Sequence, residues 1–196
     1  MASIEIKCVG PLNDTGRIEL KMVNLFIGKQ STGKSTLMKI LSYCRWLEKT
    51  IMTGSDTILF AYTHNNKFIK ELMQFYRFNM GYFSNDSVIH YQGDCVSILL
   101  NGVQSNVRIE RLSTFDDERY NTKLSFIPSE RNLLSAIRNI DRAYRASDLD
   151  VLFNFVFEWG EAKEHYTNSE PKTLVVSPNM EYYFDKEKGG YNSLER

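Results

Sequence analysis

The sequence predicts the α/β fold class, and three consecutive features support that prediction. The apolar run Met22–Ile27 has the composition of a buried strand. The glycine-rich segment Gly28–Thr36 follows it directly. The next apolar residues recur at helical spacing and share one face of an amphipathic helix: Leu37, Ile40, Leu41, Cys44 and Leu47. A strand, a glycine-rich loop and a helix in this order form a typical unit of an α/β protein.

The segment Gly28–Thr36 fits the pattern G-x-x-x-x-G-K-[ST], which is the phosphate-binding P-loop. We expect Gly28 and Gly33 to adopt positive φ, so that the backbone curls closely around an anion. Successive N–H groups and the N-terminus of the following helix would then surround phosphate oxygens with partial positive charge. The predicted nucleotide-binding residues are Gly28, Lys29, Gln30, Ser31, Thr32, Gly33, Lys34, Ser35 and Thr36.

Three residues at the end of this motif have more specific predicted roles. Lys34 is the candidate catalytic residue, because the lysine of a P-loop reaches the β- and γ-phosphates. The Ser35 hydroxyl is the candidate Mg²⁺ ligand, and Thr36 is placed to contact the α-phosphate. The alternative interpretation is a glycine-rich turn that only caps a helix.

Composition limits the classes of partner and of site. The chain has 196 residues, of which 42% are hydrophobic and 13% aromatic, as expected of a globular protein. Lys and Arg number 24, as do Asp and Glu, so any contact with nucleic acid requires a local basic patch. Cys8, Cys44 and Cys95 are odd in number and lack CxxC spacing, which argues against a disulfide framework and against a zinc site.

The same features predict a cytoplasmic protein. Three cysteines without a pairing pattern are expected to be buried thiols in a reducing compartment. Glu5 and Lys7 interrupt the N-terminal segment, which therefore lacks the apolar stretch of a signal peptide. No apolar run approaches the length of a membrane span, so no membrane partner is expected.

Two strands are predicted ahead of the Met22–Ile27 run. Residues 3–9 alternate between apolar and polar side chains, which predicts a half-buried strand ending at Gly10-Pro11. Asn13–Gly16 has the composition of a turn, and residues 17–21 alternate again. These two strands are expected to form a hairpin, so three strands precede the first helix.

The order of elements over residues 3–47 resembles the opening of ABC-type ATPase heads. The similarity is greatest to the SMC-like and OLD-like branch, which is often catalogued as bacterial AAA-family ATPases. It implies a P-loop NTPase fold of ABC/SMC-like type, with a mixed central sheet and an antiparallel β-subdomain. It also implies ATP as ligand or substrate, Mg²⁺ as cofactor, and a second ATPase head as partner. By fold-level analogy alone it implies DNA as a further partner, in repair or phage defence.

The chain is expected to form one ATPase head lobe, 1–196, in five segments. Residues 1–50 hold the N-terminal strands, the P-loop and the first helix, and 51–86 are helical. Residues 87–127 are expected to form an antiparallel meander of four short strands, matching the β-subdomain that the resemblance implies. Residues 128–170 are again helical, and 171–196 form a terminal strand and hairpin.

More detailed expectations accompany these segments. A helix after Asn65-Asn66 should carry Phe68, Leu72, Phe75 and Tyr76 on one face, as core residues or, alternatively, as a platform for stacking bases. The Asn101-Gly102 pair is typical of a two-residue type I′ hairpin turn, and the last strand of the meander is expected at 123–127. A helix over 148–166 should turn Leu149, Leu152, Phe153, Val156 and Trp159 inward.

The segment 126–132 resembles Ile-Pro-x-Glu-Arg-Asn sequences that follow the β-subdomain in these ATPases. By that resemblance Glu130 and Arg131 face the nucleotide, a metal-bound water or a partner subunit. The alternative is that both face solvent at the start of a helix. Arg138, Arg142 and Arg145 lie on one side of that helix, and they either contact DNA phosphates or form a solvated face.

A complete P-loop ATPase also needs a strand ending in Asp and usually a Glu that orients the attacking water. Val156-Phe157-Glu158 falls within a predicted helix, and Leu174-Val175-Val176-Ser177 carries no acid. Since these groups lie C-terminal to the β-subdomain in ABC-like heads, we expect the chain to be the N-terminal part of a longer ATPase, or to need a complementary polypeptide.

Whether the chain alone hydrolyses ATP is therefore left open by its sequence. Two other functions remain at this stage. One is a nucleotide-binding regulatory or interaction protein without turnover, which the lack of these acids would suit. The other is a P-loop kinase, although neither an arginine-rich lid nor an acidic acceptor site is evident.

Overall fold

A computed structural model describes residues 2–54, 56–64, 67–102, 107–112, 124–128, 155–161, 172–173, 180–185 and 190–195. The chain divides into two compact units, Met1–Phe126 and Ile127–Arg196. The glycine-rich loop belongs to the first unit, which is described first.

The N-terminal hairpin has a tighter turn than the sequence predicts. Strand β1 (Ser3–Val9) pairs antiparallel with β2 (Leu12–Asp14), and Val9 lies opposite Leu12. Gly10 and Pro11 therefore form a two-residue turn, in which Gly10 has φ of 53°. The prediction of a turn over Asn13–Gly16 was wrong for Asn13 and Asp14, which extend this pairing as part of a polar edge strand.

The predicted second strand is present but short. Strand β3 (Ile18–Glu19) pairs antiparallel with the N-terminal half of β1, on the same edge as β2. Between β2 and β3 the chain bends at Gly16, whose φ is 58° and whose N–H donates to Asp14 Oδ1 at 2.8 Å. The Thr15 hydroxyl accepts from the Ile6 N–H at 2.9 Å, so this edge stays attached to β1 through the bend.

The predicted antiparallel meander is confirmed for three strands. Strands β4 (Val88–Gln92), β5 (Val96–Asn101) and β6 (Arg108–Arg111) extend the sheet in the order β2-β1-β4-β5-β6. All pairings among these strands are antiparallel. The parallel pairing of a mixed central sheet therefore stays a prediction.

Two details of the meander were wrongly predicted. Leu99 lies opposite Arg108, so the connection after Asn101 is longer than a two-residue turn. Gly102 instead passes close to another loop: a Cβ there would lie 2.8 Å from the Asn85 carbonyl oxygen. Residues 124–127 form no strand in the structure.

Three helices and one 3₁₀ turn complete the described part of this unit. Helix α1 spans Lys34–Thr53, α2 spans Asp56–His64, α3 spans Lys67–Tyr76, and a 3₁₀ turn covers Met80–Tyr82. Helices α1 and α3 confirm most of the predicted amphipathic faces: Phe68, Leu72 and Tyr76 are buried, whereas Leu41 and Phe75 are only half-buried. Helix α2 lies within the segment 51–86 that was expected to be helical, although no separate helix over 56–64 was predicted.

The core of this unit lies between one face of the sheet and the helices. The strands contribute fully buried side chains from alternate positions: Ile4, Ile6, Ile89, Tyr91, Ile98 and Leu100. Helix α1 faces them with Ile40, Tyr43, Leu47 and Ile51. The ring of Tyr43 lies edge-on to Phe68 of α3 at 5.2 Å, and its hydroxyl donates to the Phe68 carbonyl at 3.2 Å.

A buried carboxylate fixes α1 to the β4–β5 hairpin. Glu48 is 2% exposed, and its Oε1 accepts from the N–H groups of Cys95 at 2.8 Å and Val96 at 3.2 Å. Its Oε2 accepts from the Tyr91 hydroxyl at 2.5 Å and lies 3.5 Å from Arg45 Nη1. Burial, and then the negative charge of Glu48, raise the pKa of Tyr91.

The run Met22–Ile27 does not form the predicted buried strand. It has no regular secondary structure, and Met22, Leu25 and Ile27 are 100%, 79% and 86% exposed. A strand requires a neighbour, and both edges of β1 are already taken by β2, β3 and β4, so the run cannot pair with β1. The Asn24 side chain also bonds the backbone of Lys21, with Nδ2 donating to its carbonyl at 2.9 Å, which forms a local turn at the start of the run.

The second unit contains a three-stranded antiparallel sheet and a helical stretch. Strands β7 (Lys172–Thr173), β8 (Met180–Asp185) and β9 (Gly190–Glu195) lie in that order, which confirms the predicted terminal hairpin. Residues 155–161 are helical, as predicted, and Val156 is buried against Phe155. Trp159 was predicted to face inward but is 37% exposed, since so large a ring is rarely buried completely.

Two global expectations can be compared with the described residues. Within the described ranges, no helix is both long and apolar enough to cross a bilayer. Cys44 and Cys95 are buried as expected, whereas Cys8 is exposed on β1.

Candidate functional site

The glycine-rich loop leads directly into the N-terminus of α1. Gly33 is the residue before the helix, with φ of 91° and ψ of 5°, and no side chain caps this end. The first helical bond runs from the Leu37 N–H to the Gly33 carbonyl at 2.9 Å. The N–H groups of the first turn therefore have no partner within the helix and carry partial positive charge.

Positive φ occurs at a different pair of residues than expected. Gly33 has it as predicted, but Gly28 does not, and Ser31 adopts it instead with φ of 63°. A Cβ at Gly28 would lie 3.3 Å from Thr32 Oγ1, a tight contact that a small shift of that side chain would relieve. The loop therefore turns at Ser31 and Gly33, immediately before the helix.

The loop rests on the N-terminal hairpin, a contact that the sequence does not reveal. A Cβ on Gly33 would lie 2.4 Å from Leu12 Cδ2 and 3.3 Å from Pro11 Cγ. Leu12 is itself buried. Only a glycine at position 33 allows the hairpin and the start of α1 to approach this closely, so β2 determines where the helix N-terminus lies.

The amine of Lys34 is held by the loop that precedes it. Its Nζ donates to the Gly28 carbonyl at 2.8 Å and to the Lys29 carbonyl, and lies 3.4 Å from Thr32 Oγ1. The Thr32 hydroxyl donates to the Lys29 carbonyl at 2.9 Å. Three of the predicted nucleotide-binding residues thus surround the lysine amine and hold a positive charge at the loop.

A cavity of about 480 Å³ opens beside this loop. Its described lining includes six of the nine predicted residues: Gln30, Ser31, Gly33, Lys34, Ser35 and Thr36. Gly28, Lys29 and Thr32 are not part of this lining but contact Lys34 as above. Its volume falls within the range of small-molecule sites.

The lining fits a magnesium ion that is held mainly by a ligand's own phosphates. Mg²⁺ prefers oxygen ligands and commonly combines protein groups with water and phosphate oxygens. The Ser35 side chain is exposed at the cavity and offers one hydroxyl. Among the residues described around the cavity there is no carboxylate. Elsewhere in the described ranges, no group of three His, Cys, Asp or Glu residues is arranged to hold a metal ion.

Two lining residues come from outside the predicted motif. Pro11 belongs to the hairpin turn and Tyr82 to the 3₁₀ turn after α3. The Tyr82 carbonyl accepts from the Gly10 N–H at 2.8 Å, which ties the two turns together. No motif in the sequence connects Tyr82 with the glycine-rich loop.

The remaining candidate residues fall into two groups. Glu130, Arg131, Arg138, Arg142 and Arg145 lie outside the described residues. Val156, Phe157 and Glu158 lie in the helical stretch 155–161, as expected, so they do not form an acid-bearing strand.

Comparisons with known proteins add no relative. The chain matches no protein-family model, no curated protein and no solved structure. The functional argument therefore depends on the motif and on the geometry around it.

Proposed function

We propose that the chain binds the phosphate groups of a Mg²⁺-bound nucleoside triphosphate in the cavity beside Gly28–Thr36. The observation that supports this most directly is the Lys34 amine. It lies in a loop that leads into an uncapped helix N-terminus, next to a cavity of about 480 Å³. A lysine charge and oriented backbone N–H groups are the donors that phosphate oxygens require.

In this proposal each donor has a defined task. The Lys34 amine exchanges its bonds to loop carbonyls for bonds to the terminal phosphates, and the first-turn N–H groups of α1 bind the same anion. The Ser35 hydroxyl ligates Mg²⁺, and Thr36 contacts the α-phosphate. Bound Mg²⁺ would neutralise charge on the phosphates.

Hydrolysis of the nucleotide requires a side chain that orients water, and the described lining residues include no carboxylate for this role. A water molecule attacking the γ-phosphate is normally oriented by a side chain such as Glu or Gln. No carboxylate is found among the described lining residues. We therefore propose binding as the function of this site, with hydrolysis depending on a residue from a complementary C-terminal half or from a second head.

The wider proposal follows from the family resemblance. It comprises an ABC/SMC-like ATPase head with an antiparallel β-subdomain, ATP as the nucleotide, a cytoplasmic location and a second head as partner. DNA repair or phage defence belongs to the same proposal by analogy alone. Strands β4 to β6, which follow α1 to α3 in the chain and extend the sheet that begins with β1, are compatible with such a subdomain.

Calorimetric titration with Mg·ATP tests the binding proposal. Replacing Lys34 by Ala removes a charged donor worth about 1.5–3 kcal/mol, so affinity should fall about 10- to 150-fold. Lys49→Ala is the matched control, because Lys49 lies near the other end of α1 and does not line the cavity. Equal affinity of the Lys34 variant and the wild type, or no binding by the wild type, would refute the proposal.

A further inference from the structure

The cavity beside the glycine-rich loop has two chemically different parts. Its loop and helix residues offer a lysine amine, hydroxyls and backbone N–H groups. Pro11 and Tyr82 contribute a pyrrolidine ring and a phenol ring instead. Phosphate binding uses the amine, hydroxyl and N–H groups, and it does not explain why two rings line the same cavity.

The Tyr82 ring is held in place by its neighbours. It stacks on the ring of Phe78, with centroids 4.7 Å apart and planes 13° apart. Phe78 is buried and also contacts Phe83 and Tyr76, with centroid distances of 6.4 and 6.1 Å. The Tyr82 N–H donates to the Asn79 carbonyl at 3.1 Å, which closes the 3₁₀ turn. Both the backbone and the ring of Tyr82 are therefore fixed before any ligand arrives.

Gly10 adds a second constraint on the same ring. Its φ of 53° suits glycine, and a Cβ there would lie 2.4 Å from Tyr82 Cδ1 and 2.6 Å from Cε1. The absence of a side chain at position 10 lets the ring lie directly against the β1–β2 turn. Since Pro11 follows Gly10, the same turn places both rings at the cavity.

We infer that Pro11 and Tyr82 form the contact surface for the nucleoside part of the ligand, which deepens the proposed function and depends on it. With the terminal phosphates bound at Lys34, the base and ribose extend to the remaining wall of the same cavity. One face of the half-buried Tyr82 ring is covered by Phe78, so the base meets the part of the ring that remains at the cavity. Contact of a base with an aromatic side chain does not distinguish hydrogen-bonding patterns. The surface therefore favours the larger purine rings over pyrimidines and binds ATP and GTP alike.

The test compares two ligands that differ only in the nucleoside: Mg·ATP and Mg·tripolyphosphate. Wild type, Tyr82→Leu and Tyr82→Phe are titrated with each ligand by calorimetry. Loss of a base–aromatic contact should weaken ATP binding by Tyr82→Leu about 5- to 100-fold, while tripolyphosphate affinity stays within about twofold. Tyr82→Phe retains the ring and should bind ATP within about threefold of wild type. Phe60→Leu, an exposed aromatic on α2 away from the cavity, is the matched control and should leave both affinities unchanged.

The outcomes separate the two proposals. If wild type binds neither ligand, the phosphate site itself is refuted. If wild type binds tripolyphosphate as tightly as ATP, the phosphate site stands and the nucleoside surface is refuted. Equal weakening of both ligands by Tyr82→Leu would mean that Tyr82 only supports the loop, which also overturns the inference. A preference of more than about tenfold for ATP over GTP would contradict a contact made by ring faces alone.

Discussion

Replacing Glu48 by Ala is expected to destabilise the fold strongly, although Glu48 does not line the candidate site. The carboxylate is 2% exposed and accepts three hydrogen bonds, from Tyr91 and from the N–H groups of Cys95 and Val96. It also faces the Arg45 guanidinium. Alanine would remove the acceptor of these three buried donors, whereas Arg45 would keep its ion pair with Asp94 at 2.9 Å.

The magnitude follows from those contacts. Each orphaned buried donor costs about 1–3 kcal/mol, and the three costs do not add fully because the donors share one carboxylate. We expect a loss of about 3–5 kcal/mol in the free energy of unfolding, and a melting temperature lower by roughly 6–20 °C. Glu48→Gln keeps one oxygen for the two backbone N–H groups and should cost about half as much.

Urea unfolding followed by tryptophan fluorescence provides the measurement. Trp46 lies on α1 and stacks on Tyr43 at 5.7 Å, so a Trp159→Phe background leaves a single reporter inside this unit. Glu19→Ala, on an exposed edge position, is the control and should change stability by no more than about 0.5 kcal/mol. A Glu48→Ala variant within about 1 kcal/mol of wild type would show that the carboxylate does not anchor α1 to the hairpin.

Two further predictions concern backbone space and ionisation. Gly33→Ala should lower the melting temperature more than Gly16→Ala does. Both glycines have positive φ, but an added Cβ would meet Leu12 only at position 33. Equal decreases for the two variants would contradict this. In alkaline titration, four tyrosines whose pKa is raised by burial should ionise only as the protein unfolds. Their contribution to stability is complete below the unfolded pKa of about 10 and is lost as pH rises towards their folded values. Gradual appearance of all the tyrosinate absorbance before the loss of circular dichroism would contradict this. These tyrosines are Tyr43, Tyr62, Tyr76 and Tyr91.

Elements with a strong periodic pattern could be predicted from the sequence. Helix α1 repeats apolar residues every three or four positions over Lys34–Thr53, and that spacing determines its buried face. Strands β1, β4 and β5 alternate clearly because one side of the sheet is buried. The separate bounds of helix α2 within the helical segment 51–86 were not predicted, because the helix buries only Tyr62 and lacks the stripe that marks an amphipathic helix.

Features that depend on distant partners could not be predicted. The composition of Met22–Ile27 is that of a strand, but a strand forms only by pairing with another, and the run is exposed and pairs with none of the described strands. Strand β2 is polar because it lies at an edge, and its residues therefore resembled a turn. The motif itself identified Lys34 and Ser35, whereas Tyr82 reaches the cavity only because the chain folds back after α3.

The bonds that Lys34 makes within its own loop affect which anions the site can select. The carbonyl oxygens of Gly28 and Lys29 already accept hydrogen bonds from the amine, so an incoming ligand has to replace these bonds. A singly charged ion such as chloride gains little by replacing two oriented dipoles. In the proposed function, a polyphosphate carries enough charge to displace them and engages the first turn of α1 at the same time. A site built in this way would discriminate between anions by charge density.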